Sequence, residues 1–123
     1  MSKKKILLVD DSNTALMIAQ VLLSRAAYEV VLARHGREAI AKARAERPDL
    51  ILMDVVMPYM NGIEACKAIR ADPATQAIPI ILVTTRGDDD SIEAGFASGC
   101  NDYVTKPIHG PELLGKLRDQ LGE

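Results

Sequence analysis

The sequence has 123 residues, which suits a single domain with its own hydrophobic core. Hydrophobic residues make up 48% of it, a proportion that excludes a disordered chain. Its 15 basic and 17 acidic residues give a net charge of −2, so it lacks the positive excess typical of nucleic-acid and membrane-surface binding. We therefore expect residues 1–123 to form one domain with no direct nucleic-acid partner.

Nothing near the N-terminus predicts a targeting or membrane-spanning segment. The apolar run from Ile6 to Val9 is too short for a signal peptide, because Asp10 and Asp11 end it. No apolar run approaches the roughly 18 residues of a membrane span. We expect a cytoplasmic protein without membrane insertion.

Cysteine and histidine are sparse. Cys66 and Cys100 are too few and too isolated to indicate a disulfide framework or a metal site, and we interpret them as two packed thiols. His35 and His109 stand far apart without the spacing of metal ligands, so we expect both at the surface or in loops.

Short apolar runs alternate with segments of helical periodicity along the sequence. The apolar runs predict five strands, over residues 6–9, 29–33, 50–54, 79–84 and 102–105. The periodic segments predict five helices, the first capped by Ser12 or Asn13 and the others over residues 37–46, 62–70, 88–99 and 113–121. This alternation is typical of α/β proteins.

The first predicted helix is apolar on one side. Residues three or four apart form its apolar face: Ala15, Ile18, Ala19, Leu22 and Ala26, with Leu16 and Leu23 widening it. We expect this face to pack on a sheet.

Strands that alternate with helices form a parallel sheet, because each right-handed crossover returns the chain to the same edge. The carboxyl ends of all the strands then lie at one edge, where open α/β proteins bind their ligands. Four of the five predicted strands bring polar residues to that edge: Asp10 and Asp11 after the first, Asp54 on the third, Thr84 on the fourth and Lys106 after the fifth. We expect these five residues to meet.

The residue types in this predicted site are complementary. Three carboxylates in one pocket repel one another unless a cation offsets their charge, and an all-oxygen site of this kind suits Mg²⁺. A lysine and a threonine hydroxyl can hold phosphate oxygens, and an aspartate beside them can attack phosphorus. Each residue alone is more simply explained as a cap, loop or strand-end residue. Their conjunction predicts phosphoryl transfer onto Asp54.

Six short stretches support this prediction: residues 8–12 (LVDDS), 36–39 (GREA), 48–54 (PDLILMD), 57–62 (MPYMNG), 79–84 (PIILVT) and 102–107 (DYVTKP). In this order and spacing, they resemble the receiver domain of bacterial two-component response regulators, and in particular stand-alone regulators of the chemotaxis type. The resemblance implies a flavodoxin-like, doubly wound (βα)₅ fold with strand order 2-1-3-4-5 and helices on both faces.

The resemblance also implies roles for the predicted site. Asp54 would accept a phosphoryl group from a sensor histidine kinase or a histidine phosphotransfer protein. The ligands of Mg²⁺, or of Mn²⁺ as an alternative ion, would be Asp10, Asp11, Asp54 and the backbone carbonyl of Val56. The protein would be a phosphoacceptor that assists its own phosphorylation and dephosphorylation, and not an enzyme.

A switch is a further implication of the resemblance. Thr84 and Lys106 would contact the phosphoryl oxygens, and the Lys106–Pro107 peptide bond would be cis. Thr84 would move toward the added charge, and Tyr103 would swing inward behind it. The surface formed by the fourth helix, fifth strand and fifth helix would then bind a downstream target protein, with the chain acting as a monomer or as a phosphorylation-dependent dimer.

Some residues beside the predicted site depart from the commoner family pattern. Thr85 stands where alanine is frequent, and its bulk is expected to narrow access to the phosphoryl group. Val56 and Arg86 occupy positions that modulate the lifetime of that group in the family. Because the side chain of Val56 cannot position a hydrolytic water, we expect slow self-dephosphorylation.

Other functions share parts of this pattern. A phosphatase of the haloacid dehalogenase type would need Asp-x-Asp after the first strand, whereas Asp10 and Asp11 are adjacent. A flavodoxin-like FMN module would need a phosphate loop rich in glycine, serine and threonine there, and this loop is acidic. A pseudo-receiver would lack part of the phosphoacceptor set. The chain also fits a receiver fragment of a larger regulator, although the last helical leucine, Leu121, favours a stand-alone receiver.

Overall fold

Five strands and five helices alternate along residues 3–123, the part of the chain that the computed structural model describes. The strands are β1 (Lys5–Val9), β2 (Glu29–Ala33), β3 (Leu50–Asp54), β4 (Ile80–Thr85) and β5 (Asp102–Lys106). The helices are α1 (Asn13–Arg25), α2 (Gly36–Glu46), α3 (Gly62–Ala71), α4 (Asp89–Ser98) and α5 (Gly110–Leu121). Across this described range, no helix combines the length and the apolar character needed to cross a bilayer.

The five strands form one parallel sheet in the order β2-β1-β3-β4-β5, which confirms the predicted fold. All five residues of β3 are buried, and β1 and β4 pair with it on either side. A strand covered on both faces reads as a continuous apolar run, and this explains the sequence before Asp54. Asp54 is the last residue of β3, so it lies at the middle of the sheet's carboxyl edge.

Each face of the sheet has its own apolar core. Small and aliphatic residues of α2 and α3, Ala39 among them, pack on one face, and residues of α1 and α5 such as Leu23 pack on the other. Helix α4 lies on the first of these faces, because a Cβ atom on Gly95 would be 2.8 Å from Cδ1 of Leu82 in β4. Helices therefore cover both faces, as predicted.

The two cysteines are free thiols that are buried in the core beneath α2 and α3. Burial raises the pKa of Cys66, and it raises the pKa of Cys100 to about 11. Both thiols are therefore protonated at neutral pH, and their burial confirms the prediction of two packed thiols.

The inward face of α1 differs from the predicted one. Its buried residues are Leu16, Ala19 and Leu23, whereas the side chain of Ile18 is 65% exposed. At about 100° per residue, Ile18 lies about 200° around the helix from Leu16, and it borders the groove between α1 and the segment after β5. The prediction that Ile18 packs inward is wrong, because the pattern of α1 contains more apolar residues than one face can bury.

The starts of the helices are set by local hydrogen bonds. Ser12 caps α1, and its side chain accepts a hydrogen bond from the backbone N–H of Ala15 at 3.2 Å. His35 is exposed, as expected, but it also caps α2 by accepting from the N–H of Glu38 through Nδ1 at 3.2 Å. Helix α5 begins at Gly110, earlier than predicted. Pro111 is tolerated in its first turn, because the N–H groups of that turn have no partner within the helix and the missing N–H of proline therefore costs no hydrogen bond.

Gly62 holds α3 close to the end of β3. A Cβ atom at this position would lie 2.3 Å from the backbone oxygen of Asp54 and 3.0 Å from Cα of Val55. The backbone N–H of Gly62 donates to the carbonyl oxygen of Val55 at 2.8 Å. Only glycine permits this approach of two backbones, which positions the residue carrying the candidate reactive carboxylate.

Gly62→Ala is therefore expected to lower the free energy of unfolding by roughly 2 kcal/mol or more, since backbone atoms must shift to admit the methyl group. Gly115→Ala is the matched control, because nothing lies within 4 Å of a Cβ atom in the middle of α5. That variant should be more stable by about 0.5–1 kcal/mol, the usual gain from alanine in a helix. Urea unfolding of both variants measures the difference, and a neutral Gly62→Ala would contradict the packing argument.

Candidate functional site

Four strands bring the predicted site residues to one edge of the sheet. Asp10 and Asp11 directly follow β1, and Asp54 ends β3. Thr84 follows Val83, which is paired with Asp54 in the sheet register. Lys106 ends β5 and reaches back to Asp54. Residues far apart in the sequence thus form one cluster, because parallel strands end on the same side.

The three aspartates form a compact group of carboxylates. Asp10, Asp11 and Asp54 each offer an oxygen atom, and these atoms all lie within 4.8 Å of one another. Asp10 and Asp54 are buried, whereas Asp11 is exposed. Burial raises the pKa of Asp10, and the charge of Asp54 adds to this, although a hydrogen bond from the Ser12 N–H at 2.9 Å opposes it. The negative charges of the three carboxylates repel one another, so the cluster needs a positive charge to offset them.

Lys106 supplies part of that charge. Its Nζ donates to Oδ2 of Asp54 at 2.7 Å and lies 3.9 Å from Oδ2 of Asp10. Partial burial by itself lowers the pKa of the Lys106 ammonium, but its hydrogen bond with Asp54 and the surrounding negative charges raise the pKa above its usual value. The ammonium is therefore firmly charged and points at Asp54.

The Asp54 carboxylate is held at both oxygens. Oδ2 accepts from Lys106, and Oδ1 accepts from the backbone N–H of Val56 at 3.2 Å. The side chain of Asp54 is only 4% exposed, and this exposure is at the carboxyl edge of the sheet. A buried carboxylate that is held in one orientation and paired with a cation is suited to act as a nucleophile, because its oxygen atoms can approach a substrate from one direction only.

Thr84 has a polar atom without a protein partner. The residue is 2% exposed, and its hydroxyl oxygen has no hydrogen-bond partner among residues 3–123. A buried hydroxyl without a partner costs roughly 1–3 kcal/mol, so such groups are rare in folded proteins. An incoming oxygen-rich group at the same edge of the sheet would satisfy it.

The donor set fits a hard divalent cation. Mg²⁺ prefers carboxylate, carbonyl and water oxygens, and its sites in proteins are usually partly open to solvent. Asp10, Asp11 and Asp54 supply carboxylates, and the exposure of Asp11 leaves room for water. Three carboxylates against one lysine also leave an excess of negative charge for the ion to neutralise.

Tyr103 and the Lys106–Pro107 peptide lie beside this cluster rather than in it. Tyr103 is two residues before Thr105, the register partner of Thr84, and its ring is partly buried. The Lys106–Pro107 bond is cis, the form that the resemblance implies. Thr84 and Tyr103 therefore occupy adjacent strands, and Lys106 lies on the same strand as Tyr103.

Several large apolar side chains are exposed on α1 and on the loop after β3, and sequence reasoning missed most of them. On α1, Met17 and Ile18 are each 65% exposed. On the loop after β3, Val56 is 65% exposed, and Tyr59 is fully exposed with a left-handed φ of 68°. Apolar periodicity cannot separate the exposed apolar residues of a helix from its core residues. For Met17 and Ile18, only the orientation of α1 in the fold makes this distinction.

A cavity of about 340 Å³ opens between α1 and the segment after β5. Its walls are mainly apolar and include Ala15, Leu22 and Ile108, while Asp10 and Lys106 lie at its polar end. The apolar surface of α1 thus continues to the edge of the carboxylate cluster.

Residues 6–118 match the family model of the response regulator receiver domain. The chain belongs to this family. Receiver domains are the phosphoacceptor modules of two-component signalling, they bind Mg²⁺ in their active sites, and they interact with histidine kinases and downstream targets. A relative among characterised proteins is Protein PilH of Pseudomonas aeruginosa, which is 40% identical over 117 residues, covering 95% of this chain and 97% of PilH.

Solved receiver structures share the whole architecture. The chemotaxis response regulator CheY4 of Vibrio cholerae is 38% identical, has a TM-score of 0.90 and is matched over 98% of this receiver and 100% of its own chain. The receiver domain of the sensor histidine kinase PA1611 from Pseudomonas aeruginosa is 32% identical, with a TM-score of 0.92 and coverage of 99% and 100%. That protein was solved with a magnesium ion coordinated in its active-site cleft.

We expect Mg²⁺ to stabilise this receiver, because an ion that binds only the folded cluster shifts the unfolding equilibrium. At about 100 times the dissociation constant, the gain would be about 2.7 kcal/mol, seen as a higher thermal midpoint. Asp11→Asn should remove most of the gain. Asp119→Asn makes the same charge change on the exposed side of α5 and should keep it. Equal Mg²⁺ responses of the two variants would contradict the assignment of the ligands.

Proposed function

We propose that Asp54 accepts a phosphoryl group from a histidine kinase or a histidine phosphotransfer protein, in a reaction that requires Mg²⁺ or, as an alternative ion, Mn²⁺. The observation that carries this proposal is the contact of Lys106 Nζ with the buried Asp54 carboxylate at 2.7 Å, inside a cluster of three aspartates. A carboxylate between an ammonium and a cation site is suited to receive a dianionic group.

The transfer follows from the geometry of the chain's own residues. A carboxylate oxygen of Asp54 attacks phosphorus, the bond from phosphorus to the donor nitrogen breaks, and an acyl phosphate forms. Lys106 stabilises the charge on the phosphoryl oxygens, and the unpartnered hydroxyl of Thr84 donates to one of them. Mg²⁺, when it is bound, offsets the negative charge that builds up during transfer. Its ligands would be Asp10, Asp11, Asp54 and the backbone carbonyl of Val56.

The apolar surroundings of the site support a protein donor. Ile18 lines the cavity whose polar end is formed by Asp10 and Lys106, and Val56 donates its backbone N–H to Asp54; the side chains of Ile18 and Val56 are each 65% exposed. Exposed apolar side chains beside the site can exclude water when a partner docks over them, and this would protect a reactive acyl phosphate while it forms. The donor's phosphohistidine would then enter the cleft above Asp54.

Phosphorylation would change a surface at the edge of the sheet. Thr84 and Tyr103 lie on adjacent strands, and a charge of about −1.5 to −2 beside Thr84 gives its hydroxyl an acceptor. Movement of Thr84 toward that charge makes room for the Tyr103 ring. The surface of α4, β5 and α5 would then bind a downstream target protein, with the receiver as a monomer or a phosphorylation-dependent dimer.

Incubation with acetyl phosphate and Mg²⁺ should add the mass of one phosphoryl group, read by intact-protein mass spectrometry. Asp54→Asn should not gain this mass, because an amide cannot form the acyl phosphate. Asp119→Asn, which removes an exposed carboxylate of α5, should be labelled like the wild type. If Asp54→Asn gained the mass as well, the assignment of the phosphoacceptor would be wrong.

The lifetime of the phosphorylated form should depend on Val56. Its exposed side chain is apolar, so it has no group that could orient an attacking water beside Asp54. Val56→Asn is expected to shorten the half-life about tenfold, since positioning one water by hydrogen bonding accounts for effects of roughly this size. Decay of the phosphorylated mass after removal of acetyl phosphate measures it. Val56→Leu, which stays apolar, should decay like the wild type, and faster decay of the wild type than of Val56→Asn would contradict the prediction.

A further inference from the structure

The ring of Tyr103 is held between two helices. The ring of Phe96 in α4 meets it edge-on, with the centroids 6.1 Å apart and the planes at 87°. The ammonium of Lys116 in α5 lies 4.8 Å from the centroid of the same ring. A cation within about 6 Å of an aromatic centroid is attracted to the ring, and an edge-on aromatic pair is also favourable.

Lys116 reaches this ring around the edge of the sheet. Its neighbours on α5, Leu113 and Leu117, are buried in the core on the α1 and α5 face. Tyr103 pairs in register with Leu82, which belongs to the core on the opposite face. Because β5 is the edge strand, a long side chain from α5 can pass beside it and contact a ring on the other face.

The ammonium of Lys116 is anchored independently of the ring. It donates to Oδ1 of Asp102 at 3.3 Å and to the backbone oxygen of Tyr103, and it lies 3.7 Å from Oε1 of Glu112. These acceptors match the three donors of an ammonium group. The charge therefore stays in place if the ring moves away from it.

The direction of any inward movement follows from the register. Thr84 pairs with Thr105, and Tyr103 is two residues before Thr105, so the side chains of Thr84 and Tyr103 are on the same face of the sheet. Movement of the ring along β5 toward Thr84 carries it away from a charge that is fixed beside Asp102. The contact with Lys116 is therefore lost in an inward conformation.

We propose that Lys116 is a positioning residue that holds Tyr103 between α4 and α5 and so opposes the response to phosphorylation. This inference rests on the proposed function of Asp54. By linkage, a contact made only before activation weakens binding of the activating group by the same factor. Removal of a partly exposed cation–π contact should therefore tighten that binding about two- to fivefold.

Beryllofluoride, a non-hydrolysable mimic of a phosphoryl group, tests this in the presence of Mg²⁺. We expect Lys116→Met to bind it about two- to fivefold more tightly than the wild type, and Lys116→Gln to behave like Lys116→Met. Lys116→Arg should restore wild-type affinity, since a guanidinium also stacks on an aromatic ring. Lys67→Met makes the same change on the exposed side of α3 and should have no effect.

Two further measurements separate this role from a merely structural one. In protein labelled with 3-fluorotyrosine, the ¹⁹F signal of Tyr103, assigned with Tyr103→Phe, should shift in Lys116→Met before any beryllofluoride is added. In a Tyr103→Leu background, Lys116→Met should no longer change the affinity. A purely structural lysine would lower thermal stability and would leave the affinity unchanged or weaken it.

The possible failures are distinguishable. If the wild type bound no beryllofluoride with Mg²⁺, the phosphoacceptor function would be wrong, and the role of Lys116 would fall with it. If the wild type bound it and Lys116→Met bound it equally or more weakly, only the role of Lys116 would be overturned. An effect that persisted in the Tyr103→Leu background would also overturn it, because the contact would not be its cause.

Discussion

Repulsion among three carboxylates at one edge of the sheet is the constraint on which the site depends. Their oxygen atoms lie within 4.8 Å of one another, and one ammonium faces them. The remaining negative charge would repel any phosphate, so the cluster becomes useful only when a cation joins it. Under the proposed function, the same charge imbalance that makes the site costly in isolation would favour a cation and a phosphoryl group together.

The rigidity of this edge comes from the centre of the sheet. Asp54 ends a strand with a neighbour on each side, and Gly62 brings the start of α3 into contact with its backbone. The carboxylate is also held at both oxygens, by Lys106 and the N–H of Val56. Among the buried side-chain polar atoms of residues 3–123, only the hydroxyl oxygen of Thr84 has no hydrogen-bond partner, so an arriving oxygen could bind there.

The apolar runs predicted the strands and the residues at the carboxyl edge, because buried parallel strands are short apolar runs and their ends carry the chemistry, whereas the strand order was predicted from the family resemblance. The sequence did not predict the exposure of Ile18, since periodicity finds an apolar helix but not which of its apolar residues meets the sheet. The cap formed by His35 was missed because histidine is an uncommon cap, and Lys116 because a contact around a sheet edge leaves no local pattern.

The edge strand β5 carries Lys106, which contacts Asp54, at its carboxyl end and Tyr103 three residues earlier. A central strand has two hydrogen-bonded neighbours and little freedom, whereas β5 pairs with β4 alone. Apart from Lys106, side chains on this edge strand can be exchanged without touching the carboxylates at the ends of β1 and β3. Under the proposed function, substitutions near Tyr103 would adjust how readily the receiver responds to phosphorylation and would leave the phosphorylation chemistry itself intact.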